Sequence, residues 1–315
     1  MTGFLQVHTA EWLEFFAERG HRGVEPLAAG VEGAIYRLGD GLVAKVWGRR
    51  QVPELVRMQH FYADVARVGL GFQTPEILEV EGVDGVAVTV DRELHGTSLQ
   101  SRLAVEDEVV PHDVAEVLVQ VLRGLSKVRA TEHMRELSVL DETRPLWTGA
   151  DRFGEALAQL AERRVSRFGH LLRAQVADFD RKHEAAVSKL TALRTVALTV
   201  VHGDLFAENV LVDDEGKPSA VLDFGFLSTA GDPRLDAAIT AVIVNMYGPH
   251  SRAIARQLTD LLCAELGYAP EVLLLYRAAY ALATSNVLTP DGSDGHFEWC
   301  VGWLNDPQVT EALHA

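Results

Sequence analysis

Residues 201–225 read VHGDLFAENVLVDDEGKPSAVLDFG and contain two polar motifs in an apolar context. The first motif, HGD at 202–204, follows the apolar stretch TVALTVV, which predicts a short buried strand that runs into a polar loop. Apolar segments on both sides of DEGKP predict a hairpin that leads to the second motif, DFG at 223–225. The hairpin would bring Asp223 back beside Asn209, although 14 positions separate the two residues.

The chemistry that needs this arrangement is phosphoryl transfer. A carboxylate on a loop, Asp204, can accept the proton of a substrate hydroxyl, and Asn209 five residues further on can hold a metal ion. Asp223 adds a second carboxylate for the same metal, and an oxygen-only ligand set suits Mg²⁺. Each motif alone would fit a turn or a helix cap, but their joint spacing favours a phosphotransfer site.

A lysine lies within an apolar strand in the first third of the chain. Lys45 is the central residue of VAKVW, where an unpaired ammonium would cost several kcal/mol. The phosphates of a nucleotide would supply the anionic partner, whereas the structural alternative is a lysine that extends to solvent from an edge strand. Gly30 and Gly33 at the preceding turn can let backbone amides approach phosphates, although two glycines are a weak signal by themselves.

The segments HGDLFAEN, LDFG and VAK resemble the aminoglycoside phosphotransferase and choline kinase superfamily, which has a protein-kinase-like fold. GVEGAIYRLGDGLVAKVW, TPEIL, the REL-H-G hinge and GDPRLDAA also match in order, so the resemblance covers nearly the whole chain. It implies an α+β, two-lobed fold. Residues 1–94 would form a small antiparallel-sheet lobe that binds nucleotide, and residues 95–315 a larger, mainly helical lobe that binds the acceptor.

The same resemblance assigns roles to individual residues. It implies that Asp204 is the catalytic base and that Asn209 and Asp223 are Mg²⁺ ligands. His202 would act as a scaffold of the loop, and Asp236 in GDPRLDAA would brace that loop from a helix. Contacts to the phosphates and the base of ATP or GTP would come from the lysine, the glycine turn and the hinge, namely Lys45, Gly30, Gly33, Arg92 and Leu94.

Two departures from the family pattern affect the nucleotide site. The helix acid that pairs with the lysine would fall near residues 58–60, where no acid stands. Glu54, one turn earlier on the same helix face, is the expected substitute, and Asp64 is the alternative. The second metal motif has Phe224 where many relatives have a tryptophan, which should change packing and leave the metal chemistry unaltered.

The resemblance also implies that the acceptor lies against the C-terminal lobe, between acidic residues of the last helices. The segment PDGSDGHFEW and the catalytic loop contain the candidates, and the alternative for the segment is a glycine-rich turn that caps a helix. Residues 201–315 hold 16 Asp and Glu against 5 Lys and Arg, which is −11 of the net charge of −16. We therefore expect a cationic acceptor that binds near Glu208, Asp291, Asp294, Glu298 and Trp299.

Composition restricts the other functional classes. A net charge of −16 argues against nucleic acid, two cysteines imply no disulfide framework, and no apolar run reaches a membrane span, so a cytoplasmic protein is expected. The first acceptor class is an aminoglycoside-like or macrolide-like antibiotic. A metabolic kinase for an amino alcohol or sugar and a catalytically silent kinase fold are the alternatives. A protein kinase is disfavoured because no activation segment with an APE end follows Asp223.

Overall fold

The computed structural model describes residues 9–30 and 33–315, which divide into two units. The first unit contains the described residues up to Gly96 together with Ser219–Leu222, and the second contains Thr97–Pro218 and Asp223–Ala315. The first is mainly sheet and the second mainly helix. This architecture confirms the predicted α+β class with a small antiparallel sheet and a larger helical part.

An antiparallel sheet of five strands forms the first unit, in the order β1-β2-β3-β5-β4. Two helices accompany it, α1 (Thr9–Glu18) and α2 (Val52–Ala66). The buried residues of α2 include Leu55, Phe61 and Val65, which recur at helical spacing along one face. The strands are β1 (Glu25–Ala29), β2 (Gly33–Gly39), β3 (Leu42–Trp47), β4 (Ile77–Val83) and β5 (Val86–Arg92).

Alternation along β3 separates two faces of this sheet. Ala44 and Val46 point into an apolar core that also contains Phe16 of α1 and Tyr36 of β2. Lys45 lies on the opposite face. Because β3 pairs with β2 on one side and β5 on the other, Lys45 belongs to an internal strand. The alternative of a lysine on an edge strand is therefore wrong.

Helices and several short strands build the second unit. Strand β6 (Thr97–Ser98) pairs with β8 (Val210–Val212), and β7 (Thr199–Val201) pairs with β10 (Thr229–Gly231). A turn in which the Asp213 N–H donates to the carbonyl oxygen of Lys217 at 2.9 Å follows β8. The chain then forms β9 (Pro218–Val221), of which all but Pro218 belongs to the first unit. The helices are α3 (His112–Leu125), α4 (Glu132–Arg135), α5 (Phe153–Gln175), α6 (Phe179–Ala192), α7 (Pro233–Ile243), α8 (Ser251–Leu266), α9 (Pro270–Thr284), α10 (Gly295–Leu304) and α11 (Pro307–His314).

The helices of the described residues share one further property. Not one of them combines the length and the apolar composition that a bilayer crossing requires.

Candidate active site

Asp236 fixes the beginning of the loop that follows β7. This residue of α7 is buried, and its two carboxylate oxygens accept the backbone N–H groups of His202 and Gly203, each at 2.8 Å. Burial raises the pKa of Asp236 to about 6, although both hydrogen bonds favour the ionised carboxylate. The bracing contact that the sequence suggested for Asp236 is thus present, and it orients the two residues before Asp204.

His202 connects this loop to the DFG segment. Its side chain is fully buried, and its ring lies 4.5 Å from the Phe224 ring with an interplanar angle of 30°. Its carbonyl oxygen accepts the Ser228 hydroxyl and the Gly225 N–H, and its Nδ1 accepts the Asp204 N–H at 3.2 Å. Because Nδ1 is the acceptor here, a neutral His202 carries its proton on Nε2.

Asp204 lies directly against the backbone of the DFG glycine. A Cβ atom added at Gly225 would clash with the Cβ of Asp204 and lie only 2.9 Å from its Cγ. Only glycine permits this approach, which brings the two motifs together in space. The hairpin that links them was predicted from the apolar pattern, but no sequence pattern indicated this steric requirement.

Asn209 is oriented by the same loop. Its side-chain amide donates from Nδ2 to the carbonyl oxygen of Asp204 at 2.9 Å. A carbonyl oxygen can only accept, so the nitrogen must face it and Oδ1 must point elsewhere. Asn209 therefore presents an oxygen beside the loop, as a metal ligand at this position requires.

Asp223 adopts a strained backbone conformation with an exposed side chain. Its φ is +37°, in the left-handed region that side chains other than glycine rarely occupy. Asp223 and Asn209 both offer hard oxygen donors of the kind that Mg²⁺ prefers. Within residues 9–30 and 33–315, no three His, Cys, Asp or Glu side chains form a metal site by themselves. A divalent ion held here would need further oxygens from phosphate or water.

In the first unit, Lys45 lies beside an aromatic ring on the non-core face of the sheet. Its Nζ is 3.9 Å from the ring centroid of Trp47, a cation–π contact. Trp47 is held in turn by a hydrogen bond of 3.2 Å from its Nε1 to Oγ1 of Thr89, the residue opposite Lys45 on β5. This face of the sheet therefore positions the lysine side chain.

The two glycines at the turn between β1 and β2 have different structural roles. The Gly30 N–H donates to the Gly33 carbonyl oxygen at 2.9 Å, and the residues between them lie outside the described part of the chain. A Cβ at Gly33 would clash with the backbone of Val46, so strand pairing requires glycine there. A Cβ at Gly30 would meet nothing within 4 Å, so packing does not explain that glycine.

Arg92 and Leu94 line a cavity of about 240 Å³, together with residues of the loop after α2. The Arg92 N–H donates to the carbonyl oxygen of Glu76 at 3.0 Å, and its guanidinium pairs with the Glu76 carboxylate. Arg92 thus has a structural partner that sequence reasoning did not identify.

The two candidate partners of Lys45 differ in their surroundings. The Glu54 carboxylate accepts the Gln51 N–H at 3.0 Å and so takes part in the capping of α2. Asp64 lies on the buried face of the same helix with a side chain that is 4% exposed, and it pairs with the exposed Arg67 at 3.1 Å. The capping role of Glu54 depends on backbone geometry at Gln51, which the sequence analysis did not consider.

The acidic residues before α10 mostly stabilise their own turn. Asp291 accepts both the N–H and the hydroxyl of Ser293, at 3.1 and 2.7 Å. Asp294 caps α10 by accepting the Phe297 N–H at 2.9 Å, and it also accepts the Thr289 hydroxyl. Partial burial opposes ionisation of Asp294, but these hydrogen bonds lower its pKa. The helix-cap alternative thus describes both residues, while Glu208 and Glu298 are exposed.

Trp299 belongs to an aromatic cluster whose other members the sequence analysis did not select. Its ring stacks on His296 at 5.5 Å and meets the edge of Tyr280 at 6.1 Å. Its Nε1 is buried and has no hydrogen-bond partner among the described residues. Burial raises the pKa of Tyr280 well above its usual value, and the charge of Asp204 adds to that effect. Tyr280 thus packs against Trp299, and its pKa is also affected by the charge of Asp204.

Comparison with known proteins agrees with this arrangement. A model of the phosphotransferase enzyme family matches residues 23–276, whereas no curated protein matches the chain. Aminoglycoside phosphotransferase APH(3'')-Id from Streptomyces rimosus is 16% identical, with a TM-score of 0.54 over 86% of this chain and 97% of that chain. An aminoglycoside-3'-phosphotransferase of type VIII is 21% identical, with a TM-score of 0.53 over 88% and 99%.

A third solved structure is the ternary complex of APH(2")-IIa with streptomycin and ATP. It is 14% identical, with a TM-score of 0.57 over 98% of this chain and 96% of that chain. At these identities the three structures establish a common fold. Because the family model covers most of the chain, including both polar motifs, the protein belongs to the phosphotransferase enzyme family.

Proposed function

We propose that this phosphotransferase moves the γ-phosphoryl group of ATP or GTP to a hydroxyl group of a small, amine-bearing acceptor in the cytoplasm. The observation that carries the proposal is the packing of the two motifs within one unit. Asp204 lies against Gly225, His202 contacts Phe224, and Asn209 is tied to the Asp204 carbonyl oxygen. A small-molecule kinase needs its base and its metal ligands next to one another in this way.

In the proposed reaction the Asp204 carboxylate accepts the proton of the acceptor hydroxyl while that oxygen bonds to the γ-phosphorus. The bond between the γ-phosphorus and the β–γ bridging oxygen breaks, and the nucleoside diphosphate leaves. Oδ1 of Asn209 and the carboxylate of Asp223 would hold Mg²⁺. When bound, Mg²⁺ neutralises charge on the phosphates. Lys45 would bind the phosphates from the first unit, with contributions from Gly30 and Gly33, while Arg92 and Leu94 of the hinge would contact the base. Residues 1–94 would then be the nucleotide lobe and 95–315 the acceptor lobe.

For the acid that pairs with Lys45 in the active state, we favour Asp64 over Glu54. The Glu54 carboxylate already serves the helix cap, whereas Asp64 lies on the buried face of α2. Asp64→Asn should raise the apparent dissociation constant of the nucleotide about tenfold. Glu54→Gln should lower only the stability of α2, by about 1 kcal/mol, and leave that constant unchanged. Equal nucleotide constants for wild type and Asp64→Asn would refute this assignment.

The acceptor site of this proposal is centred on Trp299 and Tyr280 rather than on the capping carboxylates. The ring of the buried Tyr280 packs against Trp299, and the Trp299 Nε1 has no hydrogen-bond partner among the described residues. Aromatic faces bind protonated amines and the apolar faces of sugar rings. Glu298 and Glu208 would add negative potential. The solved complexes of APH(2")-IIa contain streptomycin or gentamicin, so aminoglycosides are the first class to test, with antibiotic resistance as the biological outcome.

A panel assay tests the proposal. Coupled nucleotide turnover would be measured with ATP and with GTP against aminoglycosides, macrolides, amino alcohols and neutral sugars. We expect acceptor-dependent turnover that requires Mg²⁺ and is fastest with an amine-bearing compound. Fast turnover only with an amino alcohol or a sugar would favour the metabolic-kinase alternative. Tight nucleotide binding with no turnover for any acceptor would favour the silent kinase fold.

A further inference from the structure

A cavity of about 500 Å³ lies on the second unit, and nothing in the proposed reaction uses it. Its walls come from the segment after α3, the approach to β7, the beginning of α7 and the residue Tyr268 that follows α8. A volume of this size is typical of small-molecule sites. The cavity therefore has room for a ligand of several non-hydrogen atoms.

The walls of this cavity are rich in cations. Lys127, Arg129 and Arg234 line it, against a single acid, Asp232. The whole chain has 29 Lys and Arg against 45 Asp and Glu, so this local excess of positive charge runs against the overall composition. Along the described parts of the chain, the side chains of Lys127 and Arg129 form no ion pair and donate no hydrogen bond.

The single acid in the cavity is already neutralised. Asp232 is buried and accepts two hydrogen bonds from Nε of Arg234, at 2.8 and 2.9 Å, and one from the Tyr276 hydroxyl at 2.7 Å. Its charge is therefore matched by Arg234, and the charges of Lys127 and Arg129 remain unmatched. Burial, followed by the charge of Asp232, raises the pKa of Tyr268, so its hydroxyl stays protonated and able to donate at neutral pH.

We propose that this cavity is a binding site for a small anion with a phosphate or carboxylate group, held by Lys127, Arg129 and the hydroxyl of Tyr268. Two cations and a neutral donor that converge on one cavity form the donor set that such groups require. This inference is independent of the acceptor proposed above, because the cavity residues take no part in phosphoryl transfer.

The cavity lies beside two elements, β7 and α7, that position the catalytic loop. Thr199 lines the cavity and begins β7, the strand that leads to His202. Arg234 lines the cavity two residues before Asp236, whose carboxylate holds the first two amides of that loop. An anion bound here would therefore contact both elements that position Asp204.

Isothermal titration calorimetry of the full chain with inorganic phosphate and, separately, with succinate tests the proposal. We expect saturable binding of at least one anion, weakened at least about tenfold by the double variant Lys127→Gln/Arg129→Gln, which corresponds to about 1.4 kcal/mol. Binding of phosphate alone or of succinate alone would identify which group the site prefers. Tyr268→Phe should weaken the same interaction by a smaller factor.

The matched control is Arg181→Gln/Lys189→Gln, which makes the same change of charge on α6. We expect this control to bind the anion as the wild type does, and thermal unfolding should show that both double variants are folded. An unchanged affinity in Lys127→Gln/Arg129→Gln, an equal loss in the control, or no saturable binding of either anion would overturn the proposal.

Discussion

Asp204 is the residue on which the proposed chemistry depends. Asp204→Asn keeps the shape of the side chain but removes its ability to accept a proton. We expect turnover to fall by about 10²–10⁴-fold, with nucleotide affinity nearly unchanged, because the base acts on the acceptor. Steady-state kinetics and nucleotide titration measure the two effects. The control is Asp260→Asn, the same substitution at an exposed position of α8. More than about a tenth of wild-type turnover in Asp204→Asn would contradict the role of Asp204 as the base.

The two proposed metal ligands make a separate prediction. Asn209→Ala and Asp223→Ala each remove an oxygen donor, so nucleotide binding in the presence of Mg²⁺ should weaken about tenfold or more. Binding measured by calorimetry without Mg²⁺ should change much less. Magnesium titration curves identical to that of the wild type would exclude these residues as ligands.

Asp236 makes stability depend on pH in a defined direction. Burial raises its pKa to about 6 in the folded protein, from an ordinary value of 3.8. Between these values the folded state keeps a proton that the unfolded state releases, so this group's stabilisation is lost as pH rises through that window. We expect the free energy of unfolding of wild type, relative to Asp236→Asn, to fall between about pH 4 and pH 6.

Chemical denaturation at several pH values measures this difference. The asparagine has one oxygen where the carboxylate has two, so the N–H of either His202 or Gly203 loses its acceptor, and turnover should also fall. A difference in unfolding free energy that is the same at every pH would show that Asp236 does not titrate in this window.

At the scale of elements, the catalytic loop and the DFG segment can pack closely because residue 225 is a glycine and has no side chain. Gly225→Ala would place a Cβ against Asp204. We expect a loss of turnover of about 10²-fold, since small displacements of a catalytic group are costly. The control is Gly82→Ala in β4, where a Cβ would meet only a Val52 methyl at 3.4 Å. Kinetics of both variants would test this, and wild-type turnover in Gly225→Ala would contradict the close approach.

The elements around the catalytic loop were predictable because the chemistry limits the residue types. A base, an amide ligand and a second carboxylate must stand at fixed spacing, and the β8–β9 hairpin is visible in the pattern of apolar residues. The small antiparallel sheet and the helical remainder were also predictable from the pattern of apolar residues. Lys45 was recognisable because a charge within an apolar strand requires an explanation.

Other features depended on contacts between distant residues. Asp291 and Asp294 were predicted to bind the acceptor; in the structure the Asp291 carboxylate accepts an N–H in the turn before α10, and the Asp294 carboxylate accepts one at the start of α10. Tyr280 lies in the apolar stretch YALAT, where helical periodicity predicts a core residue. Its relation to Asp204 depends on the packing of α9, which no local pattern encodes.

At the scale of the whole molecule, the distribution of charge predicts how the acceptor is attracted. Residues 201–315 contain most of the net charge of −16, so an amine-bearing acceptor should be attracted and salt should weaken that attraction. We expect the acceptor KM to rise with ionic strength and in Glu298→Gln, with little change in kcat. Glu311→Gln on α11 is the matched control. A KM that is independent of salt would show that these carboxylates only solubilise the surface.

The central claim is that Asp204 promotes transfer of a phosphoryl group to an acceptor hydroxyl. Phosphorus NMR of a reaction that contains nucleotide, Mg²⁺ and the best acceptor of the panel measures this directly. We predict the resonance of a new phosphomonoester, formed in step with the nucleoside diphosphate and absent with Asp204→Asn. Inorganic phosphate as the only product, or the same phosphomonoester at an undiminished rate with Asp204→Asn, would contradict the account.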